Sequence, residues 1–186
     1  MMRDFVRSLP KAELHVHVEG TLEPELAFAL AKRNGVTLPY PGVQALAEAY
    51  RFDDLQSFLN LYYACSEVLR TPADFEELAD AYLRRAAADG VRQVELFFDP
   101  QSHTSRGVPL GDVIAGLGAA ASGAEARHGE RVAKPPLRAS SLAASRARDR
   151  LGWAAGGDQV QACPGRAGLA GWPGCKLCTC ISNCSG

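Results

Sequence analysis

The 186 residues are 47% hydrophobic and 22% charged, the make-up expected of a soluble globular chain of one domain or slightly more. No run of about 18 apolar residues occurs, which argues against a membrane partner, and Met1-Met2-Arg3-Asp4-Phe5 lacks the apolar core of a secretory signal. A cytoplasmic location, with the nucleus also open, is therefore the expectation.

Leu9-Pro10 leads into Ala12-Glu13-Leu14-His15-Val16-His17-Val18-Glu19-Gly20, which reads as a β-strand. Alternation along a strand predicts Glu13, His15, His17 and Glu19 on one face and Leu14, Val16 and Val18 on the other. Thr21 and Pro24 are suited to opening a helix that carries Leu26, Ala27, Leu30 and Ala31 and stops at Asn34-Gly35. After a loop from Thr37 to Gly42, Asp53-Asp54 starts a second helix with Leu55, Phe58, Leu59, Tyr62 and Leu69 on one stripe. Thr71-Pro72-Ala73-Asp74 caps a third, with Phe75, Leu78, Ala79, Tyr82 and Leu83 inward, ending at Asp89-Gly90. Val91 to Asp99 reads as a second strand stopped by Pro100, and Val108-Pro109-Leu110-Gly111-Asp112 begins a further helix through Ile114 and Leu117. Strand, helices, strand, helix is the start of a parallel α/β architecture, an open sheet or a barrel.

Functional side chains in such folds collect at the C-terminal ends of the strands. His15, His17 and Glu19 lie at the first such end, and Asp99 and His103 at and just beyond the second. Residues i and i+2 of a strand are roughly 6.6 Å apart, so two imidazoles at that spacing can lean onto one metal ion. A wet polar strand face is the plainer reading of His-x-His alone, but it gives no reason for the other groups at the strand ends.

The stretch from Leu9 to Pro24 resembles the opening of the adenosine/adenine deaminase family, and Phe58 to Tyr63 and Glu95 to Thr104 resemble its later segments. The likeness runs from about Leu9 to about Leu117. It is closest to the adenine-specific branch, where Glu stands in the place of Glu19; the adenosine branch has an Asp there that contacts the ribose. The resemblance implies the N-terminal portion of a (β/α)8 TIM-type barrel and one Zn2+ held partly by His15 and His17. It also implies a small-molecule purine substrate touched by Glu19. Asp99 reads either as pocket-lining or as a cap of the Pro100 turn, and His103 either as reaching the pocket or as a solvated loop histidine. In the family, zinc supplies hydroxide to the purine C6 while a Glu protonates the ring and ammonia leaves, so adenine gives hypoxanthine and, less favoured here, adenosine gives inosine. Such enzymes also need a third His, an Asp ligand and that acid Glu. No catalytic acid is identifiable in this chain, whose only other histidines are His103 and His128.

The composition changes near Gly118, dividing the chain into residues 1–117 and 118–186. The first part has 11 Lys and Arg against 17 Asp and Glu, and all the Phe and Tyr; the second has 9 against 4, and 5 of the 6 Cys. Ala, Gly, Arg and Pro, which have GC-rich codons, dominate the second part, as an out-of-frame reading of GC-rich DNA would produce. An incomplete or frame-shifted deaminase copy with an irregular Cys/Gly/Arg-rich tail is therefore expected. The alternatives are a catalytically inactive fragment and a tail that binds metal through Cys175, Cys178, Cys180 and Cys184. His17-Val18-Glu19 with Cys175-Lys176-Leu177-Cys178 only echoes the cytidine-deaminase signature, since Gly174 separates Pro173 from Cys175. Nucleic acid is not an expected partner, because the patterned part is acidic.

Overall fold

The computed structural model describes residues 2–128, 137–139 and 161–162. A short helix α1 (Met2–Ser8) precedes strand β1 (Lys11–His17), and a single 3-10 turn (Val18–Thr21) follows it. Then come α2 (Pro24–Asn34), α3 (Val43–Ala49), α4 (Leu55–Ser66), α5 (Pro72–Ala88), β2 (Val91–Phe98), α6 (Pro100–Thr104) and α7 (Leu110–His128). Two short strands, β3 (Leu137–Ala139) and β4 (Gln161–Ala162), complete a parallel sheet in the order β1-β2-β3-β4. Beside the two strands expected from the sequence, the described residues thus include β3 and β4. The composition change at Gly118 falls inside α7, which continues to His128. Residues Cys175 to Cys184 lie outside the described residues.

Helices α5 and α7 pack against one side of the sheet. Val94, Leu96 and Phe98 of β2 alternate onto that side and join Leu30, Phe75, Leu78, Leu83, Val113 and Leu117 in the core. Local chemistry sets the ends of these elements. Asp54 with Ser57, and Thr71 with Asp74, form capping boxes at α4 and α5. Gly35 ends α2 at φ +63°, a left-handed conformation that glycine adopts freely. On α4, Leu61, Tyr62 and Cys65 are buried, whereas Leu59 is only half-buried and Leu69 lies beyond the helix end, so the stripe is rotated from the expected one.

The first strand departs from simple alternation. Glu13 pairs with Val94 and Val16 with Leu96, so two residues of β1, Leu14 and His15, stand opposite one of β2. His15 has φ +63°, the only positive φ among described non-glycine residues. This is a β-bulge, and the extra residue shifts the parity of the strand. Glu13 consequently faces the helices, where its carboxylate accepts a hydrogen bond from the Tyr82 hydroxyl of α5. The expected shared face of Glu13, His15, His17 and Glu19 is therefore corrected: Glu13 leaves it. Glu19 is also not on the strand, which ends at His17; it sits in the 3-10 turn that Thr21 closes by donating to the Val18 carbonyl oxygen at 2.7 Å.

Candidate metal centre

The bulge brings the two histidines together. Nε2 of His17 lies 3.3 Å from Nε2 of His15, with ring centroids 5.2 Å apart. Phe97, paired with His17 across the ladder, lies beneath both: its ring stacks on His15 at 3.9 Å and runs nearly parallel to His17 at 6.0 Å. Two nitrogens bound to one tetrahedral zinc at about 2.0–2.1 Å would be separated by about 3.3–3.4 Å. The observed separation fits that requirement.

The other side of His17 is equally specified. Its Nδ1 lies 3.4 Å from Oδ2 of Asp99 at the end of β2. A proton on Nδ1 directed at this carboxylate leaves the Nε2 lone pair toward His15, the orientation that a metal-ligating imidazole needs. Burial works against charge on His17, but the hydrogen bond and charge of Asp99 and the charge of Glu19 outweigh it and raise its pKa above the ordinary value. The surroundings therefore favour a cation. Asp99 is held in turn by the Tyr62 hydroxyl of α4, which donates to Oδ2 at 2.6 Å. Burial, with the charges of Glu19 and Asp99, pushes the Tyr62 pKa far up, so the phenol stays a donor. Asp99 makes no side-chain cap of α6; its carboxylate belongs to this cluster.

Glu19 is buried, and its Oε1 accepts two hydrogen bonds at 2.8 Å, from the Asp99 backbone N–H and from Nε2 of His103. Its Oε2 is buried with no hydrogen-bond partner among the described residues. One ligand atom each of His17, Glu19 and Asp99 lies within 4.8 Å of the others, a second grouping able to hold a cation. His103 is fully buried in α6 rather than solvated in a loop. The structure thus places His15, His17, Glu19, Asp99 and His103 in one connected cluster at the C-terminal ends of β1 and β2.

Two members are absent from the sequence reading. Tyr62 looks like one more apolar position on α4, yet a buried phenol needs a partner, and that need is the signal that could have found it. Arg106 stands three residues after His103, within reach on a helical turn. Its Nη2 lies 2.8 Å from Nδ1 of His103.

Comparison with known proteins follows the same region. The family model for adenosine deaminase matches residues 10–149. An adenine deaminase of Streptomyces coelicolor is 66% identical over 126 residues, which are 68% of this chain and 37% of that protein. An adenine deaminase of Cupriavidus pinatubonensis is 61% identical over 116 residues, 62% of this chain and 33% of that protein. The crystal structure of an adenine deaminase from Arthrobacter aurescens superposes with a TM-score of 0.70 at 50% identity, covering 76% of this chain and 44% of that one. A Burkholderia ambifaria amidohydrolase with bound Zn gives a TM-score of 0.62 at 29% identity, covering 74% and 37%. The chain spans about a third of the length of the curated relatives it matches.

Proposed function

Because the chain belongs to the adenosine deaminase family, we propose that it forms the zinc-anchoring and purine-contacting part of a (β/α)8-barrel deaminase that hydrolyses adenine to hypoxanthine and ammonia. The observation that carries this reading is the 3.3 Å separation of the His15 and His17 Nε2 atoms, with Asp99 on the far nitrogen of His17. Through those two Nε2 atoms His15 and His17 would hold zinc; when bound, the ion lowers the pKa of a water molecule and so supplies the nucleophile. Asp99 fixes the tautomer of His17, and Tyr62 fixes Asp99. Phe97 keeps water from one side of both imidazoles. The His pair supplies two of the three protein ligands usual for catalytic zinc, and the third, with the acid Glu, would come from strands beyond β2. Asp99 Oδ2 is committed to the Tyr62 hydroxyl and Glu19 Oε1 to the Asp99 N–H and His103, which favours the His pair over the His17–Glu19–Asp99 grouping as the anchor.

Adenine is favoured over adenosine because the relatives quoted above are adenine deaminases and because the longer carboxylate of Glu19 stands where the resemblance puts a ribose contact. The 186-residue chain decides the matter by zinc content, by the visible spectrum of its Co2+ form, and by ammonia release from adenine. One metal per chain, lost in His17→Ala, together with turnover supports the whole reading. Absence of stoichiometric zinc overturns it. Zinc without turnover leaves the anchoring role and makes the chain by itself a non-enzyme.

A further inference from the structure

Glu19, His103 and Arg106 stand in series, and the last of them settles the protonation of the second. A guanidinium has five N–H donors and no acceptor. Burial lowers the pKa of Arg106, opposed by the nearby charge of Glu67, yet a guanidinium stays protonated in proteins. With Nη2 of Arg106 at 2.8 Å, Nδ1 of His103 must be the lone-pair nitrogen. The ring's only proton is then on Nε2, which donates to Oε1 of Glu19 at 2.8 Å. Neither group has room to turn. Nε of Arg106 donates to the Ser102 carbonyl oxygen at 2.7 Å, and Nη1 to the carbonyl oxygens of Glu67 and Leu69 at 3.3 and 3.4 Å. The His103 ring is buried and lies edge-on to Phe75.

Both donors to Glu19 meet the same oxygen, Oε1. They fix the plane of the carboxylate and thereby decide where Oε2 points. Oε2 is buried and has no hydrogen-bond partner among the described residues, an unfavourable state that a ligand N–H would relieve. A carboxylate oxygen of Glu19 lies within 4.8 Å of ligand atoms of His17 and Asp99, beside the metal centre. Resting on the purine reading above, we propose that His103, held as its Nε2–H tautomer by Arg106, is a positioning residue that presents the open oxygen of Glu19 to a ring N–H of a free purine base. A free base carries an imidazole N–H that a nucleoside has replaced by its glycosidic bond, so the same oxygen selects base over nucleoside.

The 186-residue chain with 15N-labelled histidine tests this in two steps. Two-bond proton–nitrogen spectra read the tautomer of His103, with Arg106→Met for comparison. A neutral ring protonated on Nε2 in the wild type, and a mixture of tautomers in Arg106→Met, is the expected result. Adenine and adenosine are then titrated against the wild type, His103→Met and His103→Gln, whose amide N–H can stand in for Nε2–H. The preference for adenine is expected to fall about tenfold in His103→Met, the loss of one good hydrogen bond, and to recover in His103→Gln. A proton on Nδ1, or a doubly protonated ring, overturns the proposal whatever binds. The expected tautomer with equal loss of both ligands in His103→Met, and no recovery in His103→Gln, also overturns it. If the wild type shows the expected tautomer and binds neither purine, the purine reading itself has failed, and selection by Glu19 falls with it.

Discussion

Two buried carboxylates of this chain have opposite surroundings. Asp74, at the start of α5, is saturated. Its Oδ1 accepts from Arg33 at 3.1 Å, and its Oδ2 from Asn34 at 2.8 Å and from the backbone N–H groups of Arg70 and Thr71 at 3.0 and 2.8 Å. These bonds tie α2 to α5. Glu19, in the turn after β1, has two donors on one oxygen and, among the described residues, none on the other. A buried polar group that only holds the fold together closes all its hydrogen bonds, whereas one that faces a ligand leaves a valence open. The difference separates a structural knot from the cluster proposed to meet metal and purine.

The same chemical edit applied to both carboxylates breaks or sharpens that comparison. Asp74→Asn turns an accepting oxygen into an amide that faces other donors, and leaves Arg33 with Glu77 alone at 2.8 Å. It is expected to destabilise the chain by about 3 kcal/mol in urea unfolding, the upper end of the cost of leaving buried hydrogen-bonding groups unsatisfied. Glu19→Gln keeps the oxygen that accepts from His103 and Asp99 and changes only the open one. Its stability is expected to stay within about 1 kcal/mol of wild type while purine binding is lost. Equal losses from the two substitutions would end the distinction. The pH dependence follows from Asp74. Burial alone would raise its pKa, but the N–H groups of Thr71 and Arg70 and the side chains of Asn34 and Thr71 hold it below the ordinary carboxylate value. The depressed pKa belongs to the folded state, so its contribution is complete above the unfolded value of about 3.9 and is lost as pH falls through the folded one. Urea midpoints between pH 6 and pH 2 should fall most steeply below about pH 4, and Asp74→Asn should flatten that part of the curve.

A smaller effect is expected where α7 crosses α5. A Cβ on Gly116 would lie 2.1 Å from the Pro72 carbonyl oxygen and 2.8 Å from Cβ of Phe75. Helix propensity alone would favour Gly116→Ala by about 1 kcal/mol. Overlap with backbone cannot be relieved by a rotamer, so the net change should be a loss of about 1–3 kcal/mol in the same unfolding assay. Zinc content should be unaltered, because Gly116 is no part of the metal cluster. A gain in stability would show that the two helices part at little expense.

The contrast also explains what sequence reasoning reaches. Thr71-Pro72-Ala73-Asp74 announces a helix start because capping is local, and Asn34-Gly35 announces an end for the same reason. The inward stripe of α5 follows from the 3.6-residue period, and all of Phe75, Leu78, Ala79, Tyr82 and Leu83 are buried. That Asp74 also gathers Arg33 and Asn34, some 40 residues earlier, is not local and leaves no mark in the motif. The location of the cluster at the strand ends follows from parallel α/β topology, but its geometry does not. Period-two alternation puts Glu13 beside His17, and nothing in Leu14-His15-Val16 marks the extra residue that moves it to the helix side. Arg106 is hidden for another reason: an arginine in a polar segment reads as solvated until the burial of His103 is known.

The smallest expected effect on stability comes from the bulge itself. His15 adopts a left-handed φ of +63°, which costs an L-residue other than glycine about 1–2 kcal/mol. His15→Gly relieves that strain. It also forfeits the stacking on Phe97 and adds the backbone freedom of glycine to the unfolded chain, a penalty of about 0.5–1 kcal/mol. The terms nearly cancel, so the unfolding free energy should move by less than about 1 kcal/mol. Metal uptake should respond quite differently, because the nitrogen 3.3 Å from His17 is gone. A variant as stable as wild type that no longer takes up zinc would show that the strain at residue 15 serves the metal and not the fold. A variant that loses several kcal/mol would instead make the bulge part of the structural knot, with the imidazole acting chiefly as a ring packed on Phe97.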